Sequence, residues 1–406
     1  MAVIARREKS AWVRVAIGGG AGMLVAMGLG RFSYTAMVPA LIGSGALTAA
    51  EAGWVGAVNL AGFLTGAALA ERLRRLCRLE VGLSVAIVLC AIGLAGSALP
   101  WGFAWLALCR GVIGLATAFI MVQSVATAVE AAPERSRPAA AGFVFAGVGL
   151  GILLTGILVP RLLAQGLMAA WAGIAAVALV ATLVGLWGWR GAGGAGLAAG
   201  ADPGTAATLA AQPPPTGALG PSLPLALLAL AHFLFSFGIV PHTLYWVDFL
   251  ARGLGYGVHV GGWHWSVVGI FAFLGPWLST LLARRVGIGL ALPLAYACVA
   301  LGVGIPALGA LAPALWFSTV VFGAQPGVAS LMAARARDFA APGAMARVMR
   351  VMILSNGLGA TSAGLVVPWL FERGGHASIF ALGGAGLVVG AVLCLVLLGQ
   401  ARRQAP

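Results

Sequence analysis

The sequence predicts an all-α integral membrane protein with twelve transmembrane helices in two pseudo-symmetric six-helix bundles. Three observations carry that prediction. Hydrophobic residues make up 61% of the 406 positions and charged residues only 8%. Apolar runs near or above the ~20 residues that cross ~30 Å of hydrocarbon as a helix recur along the whole chain. The basic residues gather in every second gap between those runs. No water-soluble core hides so much apolar surface, and the formal charge of +14 is a loop bias rather than a sign of nucleic-acid binding.

The predicted spans are roughly 11–43, 50–70, 79–99, 103–130, 139–164, 167–189, 223–251, 260–283, 287–309, 311–335, 344–370 and 377–399. Arg6, Arg7, Lys9 and Arg14 precede the first. Arg72, Arg74, Arg75 and Arg78 follow the second, Arg135 and Arg137 the fourth, Arg190 the sixth, and Arg284 and Arg285 the eighth. Arg335, Arg337, Arg347 and Arg350 surround the gap after the tenth, and Arg402 and Arg403 follow the twelfth. The opposite gaps hold only Arg161, Arg252 and Arg373. The positive-inside rule then places both termini in the cytoplasm of a multi-pass protein of the inner (plasma) membrane. The basic N-terminus leads into an apolar run too long for a signal-peptide core, so it is read as an uncleaved first helix. Five cysteines fall inside spans or in a basic loop with no CxxC spacing, and no disulfide is expected.

One gap differs. Residues 191–222 are rich in Gly, Ala and Pro, include Pro213-Pro214-Pro215 and carry a single charge, Asp202. That composition predicts a flexible cytoplasmic linker between bundles at 1–190 and 223–406. The halves also echo each other. Gly53, Trp54, Gly66 and Arg75 recur as Gly262, Trp263, Gly275 and Arg284, each 209 positions later, and Val38-Pro39 is matched by Val240-Pro241. A duplicated layout of this kind favours a transporter whose site lies at the midplane between repeats.

These features resemble the major facilitator superfamily. Leu106-x-x-x-Arg110-x-x-x-Gly114 is similar to its fourth-helix arginine motif. Ala67-Ala68-Leu69-Ala70-Glu71-Arg72-Leu73-Arg74-Arg75 is similar to its loop 2–3 signature, departing from it with Ala67 and Arg74 in place of glycines and Glu71 in place of Asp. The resemblance implies a gating role for Glu71, Arg72 and Arg75. Gly28-Leu29-Gly30-Arg31-Phe32-Ser33-Tyr34-Thr35 with Pro39, then Ala52-Gly53-Trp54 and Asn59, resembles the poorly characterised YbfB/YjiJ-type branch, which does not by itself define a substrate.

Polar residues inside spans point to the site. A guanidinium at hydrocarbon depth costs ~2.5–3.5 kcal/mol even on the lenient insertion scale, so Arg31 and Arg110 each need a wet cavity or a partner. Lining a central cavity, they present the donor geometry that suits a carboxylate; the alternative for Arg31 is snorkelling to the interface. Asn59, Gln123, Tyr34 and Tyr245 are the neutral candidates to orient a substrate, against interhelical hydrogen bonding and interfacial placement as their ordinary roles. Asp248, His242 and His232 are candidates for proton coupling. For Asp248 the alternative is a local pair with Arg252 four residues on, and for the histidines it is interfacial hydrogen bonding. Neither His-x5-Asp nor His-x4-His is a strong ligand spacing, so no metal is expected. Gly147-Val148-Gly149-Leu150-Gly151 falls in mid-span without a preceding strand, which excludes a dinucleotide loop and favours close helix packing.

With no Walker lysine motif, ATP does not drive the protein directly. The expectation is a secondary transporter, without cofactor and acting as a monomer, that moves a small organic anion by alternating access with proton symport. The alternatives are a proton-coupled exporter of amphipathic compounds and, more distantly, an integral-membrane acyltransferase. The latter lacks its signature, because five residues separate His242 from Asp248 where four are required.

Overall fold

The computed structural model describes residues 2–190, 223–309, 311–339 and 345–404, and the linker expected at 191–222 lies outside them. No strand occurs among the described residues. The first crossing, Trp12–Gly43, is made of α1 (Ala2–Met23), a π-helical turn (Leu24–Leu29) and α2 (Phe32–Gly43), with Gly30 and Arg31 at the join. Then follow α3 (Ala49–Leu76), α4 (Leu79–Gly96), α5 (Gly102–Ala131), α6 (Arg137–Leu163) and α7 (Leu167–Trp189). The second half contains α8 (Leu223–Asp248), extended by a π-helical turn (Phe249–Gly253), then α9 (Gly257–Val286), α10 (Ile288–Gly304), α11 (Ala312–Gly323), α12 (Pro326–Asp338) and α13 (Met345–Gln404).

Two departures from unbroken spans have local causes. Between α11 and α12 the axis bends by 43°, where Pro326 removes a helical donor and restricts Gln325 before it. The apolar stretch Arg347–Gly399 has 53 residues, roughly 80 Å of helix, far more than a bilayer holds. Gly375, with φ +62, breaks it into two crossings. With that break, and with α11–α12 as one bent crossing, the count among the described residues is twelve. Side chains such as Ile92, Leu183, Val388 and Leu395 stand exposed on the outside of the bundle. On a soluble protein that surface would aggregate, whereas in a bilayer it meets lipid.

The halves share a core at one end only. Buried residues of the first half form one continuous apolar cluster with Val240, Leu244, Trp246, Trp265, Phe322, Val367 and Phe380, all near the arginine-poor end of the second half. At the arginine-rich end of the second half, Leu228, Phe235, Tyr296, Met332, Met352 and Leu397 belong to a separate cluster with no first-half member among the described residues.

The seam follows the repeat. Gly53 on α3 faces Pro368 of α13, and Gly262 on α9 faces Pro160 of α6; a Cβ on either glycine would collide with the proline ring. Pro160 and Pro368 are 208 positions apart, as are Thr35 and Thr243, whose hydroxyl and carbonyl hydrogen-bond across the seam. The Gly147–Gly151 stretch serves two neighbours at once. Cβ atoms on Gly147 and Gly151 would collide with the backbone of the first crossing at Gly20 and Gly28, and one on Gly149 with that of Gly269 on α9.

Candidate functional site

Arg31 and Arg110 meet. The π-helical turn displaces the backbone before Arg31, leaving its carbonyl to accept from Arg110 Nη2 at 3.0 Å. Wide turns of this kind recur at functional sites. Arg110 is only 1% exposed. Its guanidinium carbon lies 4.9 Å from the Tyr34 ring centre and 6.0 Å from that of Trp171, so its faces are sheathed by aromatic rings. The Arg31 guanidinium lies 5.7 Å from the rings of both Phe32 and Phe63. Asn59 donates to the Arg110 carbonyl at 2.8 Å, which fixes α5 against α3 at that level.

The donors left over define the chemistry. Arg110 Nε and Nη1 and Arg31 Nε are buried without a hydrogen-bond partner. No ion pair among the described residues involves either arginine. Two guanidinium charges are thus held together with no carboxylate to compensate them, an arrangement favourable only if an anion or water completes it. The cavity they line has a volume of about 10 Å³, about one water's space, and its remaining walls are Tyr34, Gly56, Asn59, Leu60, Thr243 and Leu244. Thr243 and Leu244 come from the second half and every other wall from the first, so sliding the halves apart enlarges the cavity directly. A larger cavity of about 120 Å³, walled by Leu41, Leu47, Leu106, Met168 and Trp171, contains no charged group and offers nothing to an anion.

On the arginine-poor side the cavity is shut by contacts between the halves. Thr35 donates to the Thr243 carbonyl, Tyr245 Oη to the Ala49 carbonyl at 3.0 Å, and Trp265 Nε1 to the Phe32 carbonyl at 3.2 Å. At the level of the cavity itself, Thr361 donates to the carbonyl of the cavity-lining Leu60 at 3.3 Å. The first three contacts, the gate, close the seam between the halves on that side.

Of the six residues expected to contact substrate, the structure brings together Arg31, Arg110, Asn59 and Tyr34. The Tyr34 hydroxyl is committed to the Ala52 carbonyl at 2.7 Å, so that residue offers the cavity its ring. Tyr245 belongs to the gate instead. Gln123 lies on α5 about 20 Å along the axis from Arg110 and does not line the cavity. Among the proton-coupling candidates, His232 accepts from Asn356 at 3.2 Å near the arginine-rich end. His242 Nε2 is 2.8 Å from Ser318 Oγ, with its ring stacked 4.5 Å from Trp246. Asp248 is paired with Arg252, and also with His376, which the sequence pattern does not single out. Glu71 pairs with Arg74 at 3.4 Å and Arg75 at 3.2 Å on its own exposed helix end, and Arg72 has no ion pair there. Among the described residues no group of three or more His, Cys, Asp or Glu is placed to hold a metal.

Residues 23–395 match the family described as "Uncharacterised MFS-type transporter YbfB". No curated protein matches the chain. Among solved structures, the inward open xylose transporter XylE from E. coli is similar with a TM-score of 0.73 at 15% identity, covering 96% of each chain. XylE in a partially occluded inward open conformation gives 0.70 at 14% identity, covering 98% of this chain and 100% of that one. The nucleoside transporter NupG gives 0.68 at 14% identity, covering 95% and 98%. At such identities the likeness is one of fold.

Proposed function

The chain belongs to the major facilitator superfamily, in the family described as the uncharacterised MFS-type transporter YbfB, and as the carrier part of such a secondary transporter we propose that it moves a small organic anion. The observation that carries the substrate class is the set of unpartnered, buried donors on Arg31 and Arg110, with no carboxylate paired to either among the described residues. Guanidinium nitrogens donating in a plane suit a carboxylate, and the rings of Tyr34, Trp171 and Phe63 suit an apolar or aromatic body attached to it. A monocarboxylate or aromatic acid has both parts.

The two moving bodies are 1–190 and 223–406, rocking about a site whose walls they divide between them. The excess of arginine on one face puts that face, and both termini, in the cytoplasm of the inner membrane. The shared core at the other end and the separate core at the arginine-rich end then describe a carrier closed to the outside, and the likeness to inward open XylE accords with this. Proton symport is the coupling we favour. His242 is its carrier, because it is buried next to the cavity-lining Thr243 and its Nδ1 is unpartnered. Both bodies lie in one chain, so a monomer suffices.

The test is thermal stabilisation of the purified protein by a panel of carboxylates and cationic amphiphiles, in wild type and in Arg31→Gln and Arg110→Lys. A ligand at ~100 times its Kd adds ~2.7 kcal/mol. Stabilisation by a carboxylate, lost in both variants, is the expected result. Stabilisation by amphiphiles alone, unchanged in the variants, would overturn the anion site and favour an exporter.

A further inference from the structure

A second group of charges sits at the gate, on the arginine-poor side of the cavity. Asp248 ends α8 with no exposed surface, and its carboxylate accepts from Arg252 Nε at 2.5 Å and Nη2 at 3.2 Å. It also accepts from His376 Nε2 at 2.9 Å. His376 directly follows Gly375, the residue that breaks α13 into the last two crossings. This bond therefore ties the end of α8 to the turn between those crossings.

Both tied segments also form the gate. Tyr245, three residues before Asp248, donates to Ala49 of the other half. Its ring stacks 4.6 Å from Phe371, and Phe371 in turn meets the His376 ring edge-on at 4.8 Å. Tyr245 Oη and Pro368 together close on Gly53. The two surfaces that press on α3 are thus joined behind the seam by the Asp248–His376 bond.

We propose that Asp248, Arg252 and His376 form a proton-operated clasp that tightens the gate when His376 is charged. The chemistry is a single proton transfer from hydronium to His376 Nδ1, in which one N–H bond forms, one O–H bond breaks and water is left. Asp248 and Arg252 already neutralise one another. A neutral His376 donates to an already ionised carboxylate, and an imidazolium makes both partners of that bond ionised, which strengthens it further. The Tyr245 ring lies 6.4 Å from that of His376, and Glu372 and Arg373 come shortly before His376 on α13. Arg373 is occupied by the Trp369 carbonyl at 3.0 Å, and Glu51 on α3 by its own helix cap at Thr48. His259 on α9 is exposed. Imidazole is the side-chain type suited to a charge change in the physiological range, and His259 and His376 are the two imidazoles among these groups. The clasp lies outside the closed gate, away from the arginine-rich face, so it senses the outer pH rather than carrying the coupled proton.

The proposal rests on the alternating-access reading and adds regulation to it. The test uses the full chain in right-side-out membrane vesicles, with Leu244→Cys at the cavity wall as reporter and the exposed Cys77 and Cys298 replaced by Ser. An impermeant maleimide labels the reporter, and its rate is divided by that of Leu308→Cys, which is 91% exposed, to cancel the pH dependence of thiol reactivity. The ratio should fall about five-fold from pH 7.5 to 5.5. His376→Gln keeps an N–H donor and removes the titration, so it should hold the ratio flat, whereas His259→Gln should leave the fall intact. Asp248→Asn should raise the ratio at both pH values and serves if the histidine variant folds poorly. A fall that survives in His376→Gln, or a flat wild-type ratio, overturns the clasp. No substrate is added, so this result and that of the anion panel are independent.

Discussion

If this state is closed to the outside, as proposed, replacing Gly53 by alanine should push the carrier out of it without comparably harming either half. The new Cβ would press on Tyr245 Oη and lie 2.6 and 2.7 Å from Pro368 Cγ and Cβ. Tyr245 can swing aside, but the proline ring cannot. Relief of the clash needs about 1 Å of separation between α3 and α13, and overpacking of this kind costs about 1–3 kcal/mol. With the outside open the two helices part and the cost vanishes. The ratio of outside-open to outside-closed carrier should therefore rise roughly 5- to 150-fold. The informative control is Gly66→Ala, whose Cβ would strike the Leu115 carbonyl, a contact within the first half. That clash persists in both states, so it should lower the melting temperature and leave the state ratio unchanged. The assay is outside labelling of Leu244→Cys in each background, normalised to Leu308→Cys, together with thermal melting. Equal labelling in the two variants would refute the argument that the Gly53–Pro368 contact is specific to the closed gate.

Other consequences follow from the same geometry. Asn59→Leu deletes the 2.8 Å bond to the Arg110 carbonyl and should cost about 1–3 kcal/mol of stability, measured by thermal melting, together with weaker carboxylate stabilisation because α5 is no longer fixed beside the cavity. Glu71→Gln breaks two ion pairs whose side chains are about half exposed or more, so solvent screening should hold the loss below about 1 kcal/mol. A large loss of transport in Glu71→Gln with unchanged melting would show that this acid acts in transport rather than in stability. Tyr296→Phe removes a buried bond to the Ala231 carbonyl in the second half's separate core, and should cost about 1 kcal/mol in melting with no change in carboxylate stabilisation.

The fold was legible because membranes punish charge and reward apolar length, so hydropathy and the placement of arginine mark out spans directly. The repeat was legible at Gly53 and Gly262 because helices crossing that closely leave no room for a Cβ. Their partners Pro160 and Pro368 carry the same repeat less visibly, since a proline near the end of a span is common enough to pass as local punctuation. Arg31 and Arg110 stood out as costly residues in apolar runs. What remained hidden has a shared physical origin. Tyr34, Tyr245, Trp265 and Thr35 all bond to backbone carbonyls, and a carbonyl has no sequence identity to match against. The π-helical turn before Arg31 contains no proline, so nothing in the apolar pattern announces it. His376 sits beside Gly374-Gly375 in a short turn and reads as loop, although its partner is the buried carboxylate of Asp248 at the gate.

The charges are divided unequally between two otherwise similar halves. Both cavity arginines belong to the first half, while the buried histidines His232, His242 and His264 and the carboxylate of Asp248 belong to the second. Along the seam, Thr35 and Thr243 are repeat-related, yet one gives a hydroxyl and the other a carbonyl. A symmetric pair of halves would fit each state equally well, and neither ligand nor proton would have a preferred body to act on. With the unpartnered guanidinium donors on one body and the buried histidines on the other, the anion and proton of the proposed function would act on different bodies. On that proposal, coupling between them would run through the relative position of the halves, which is the coordinate that alternating access requires.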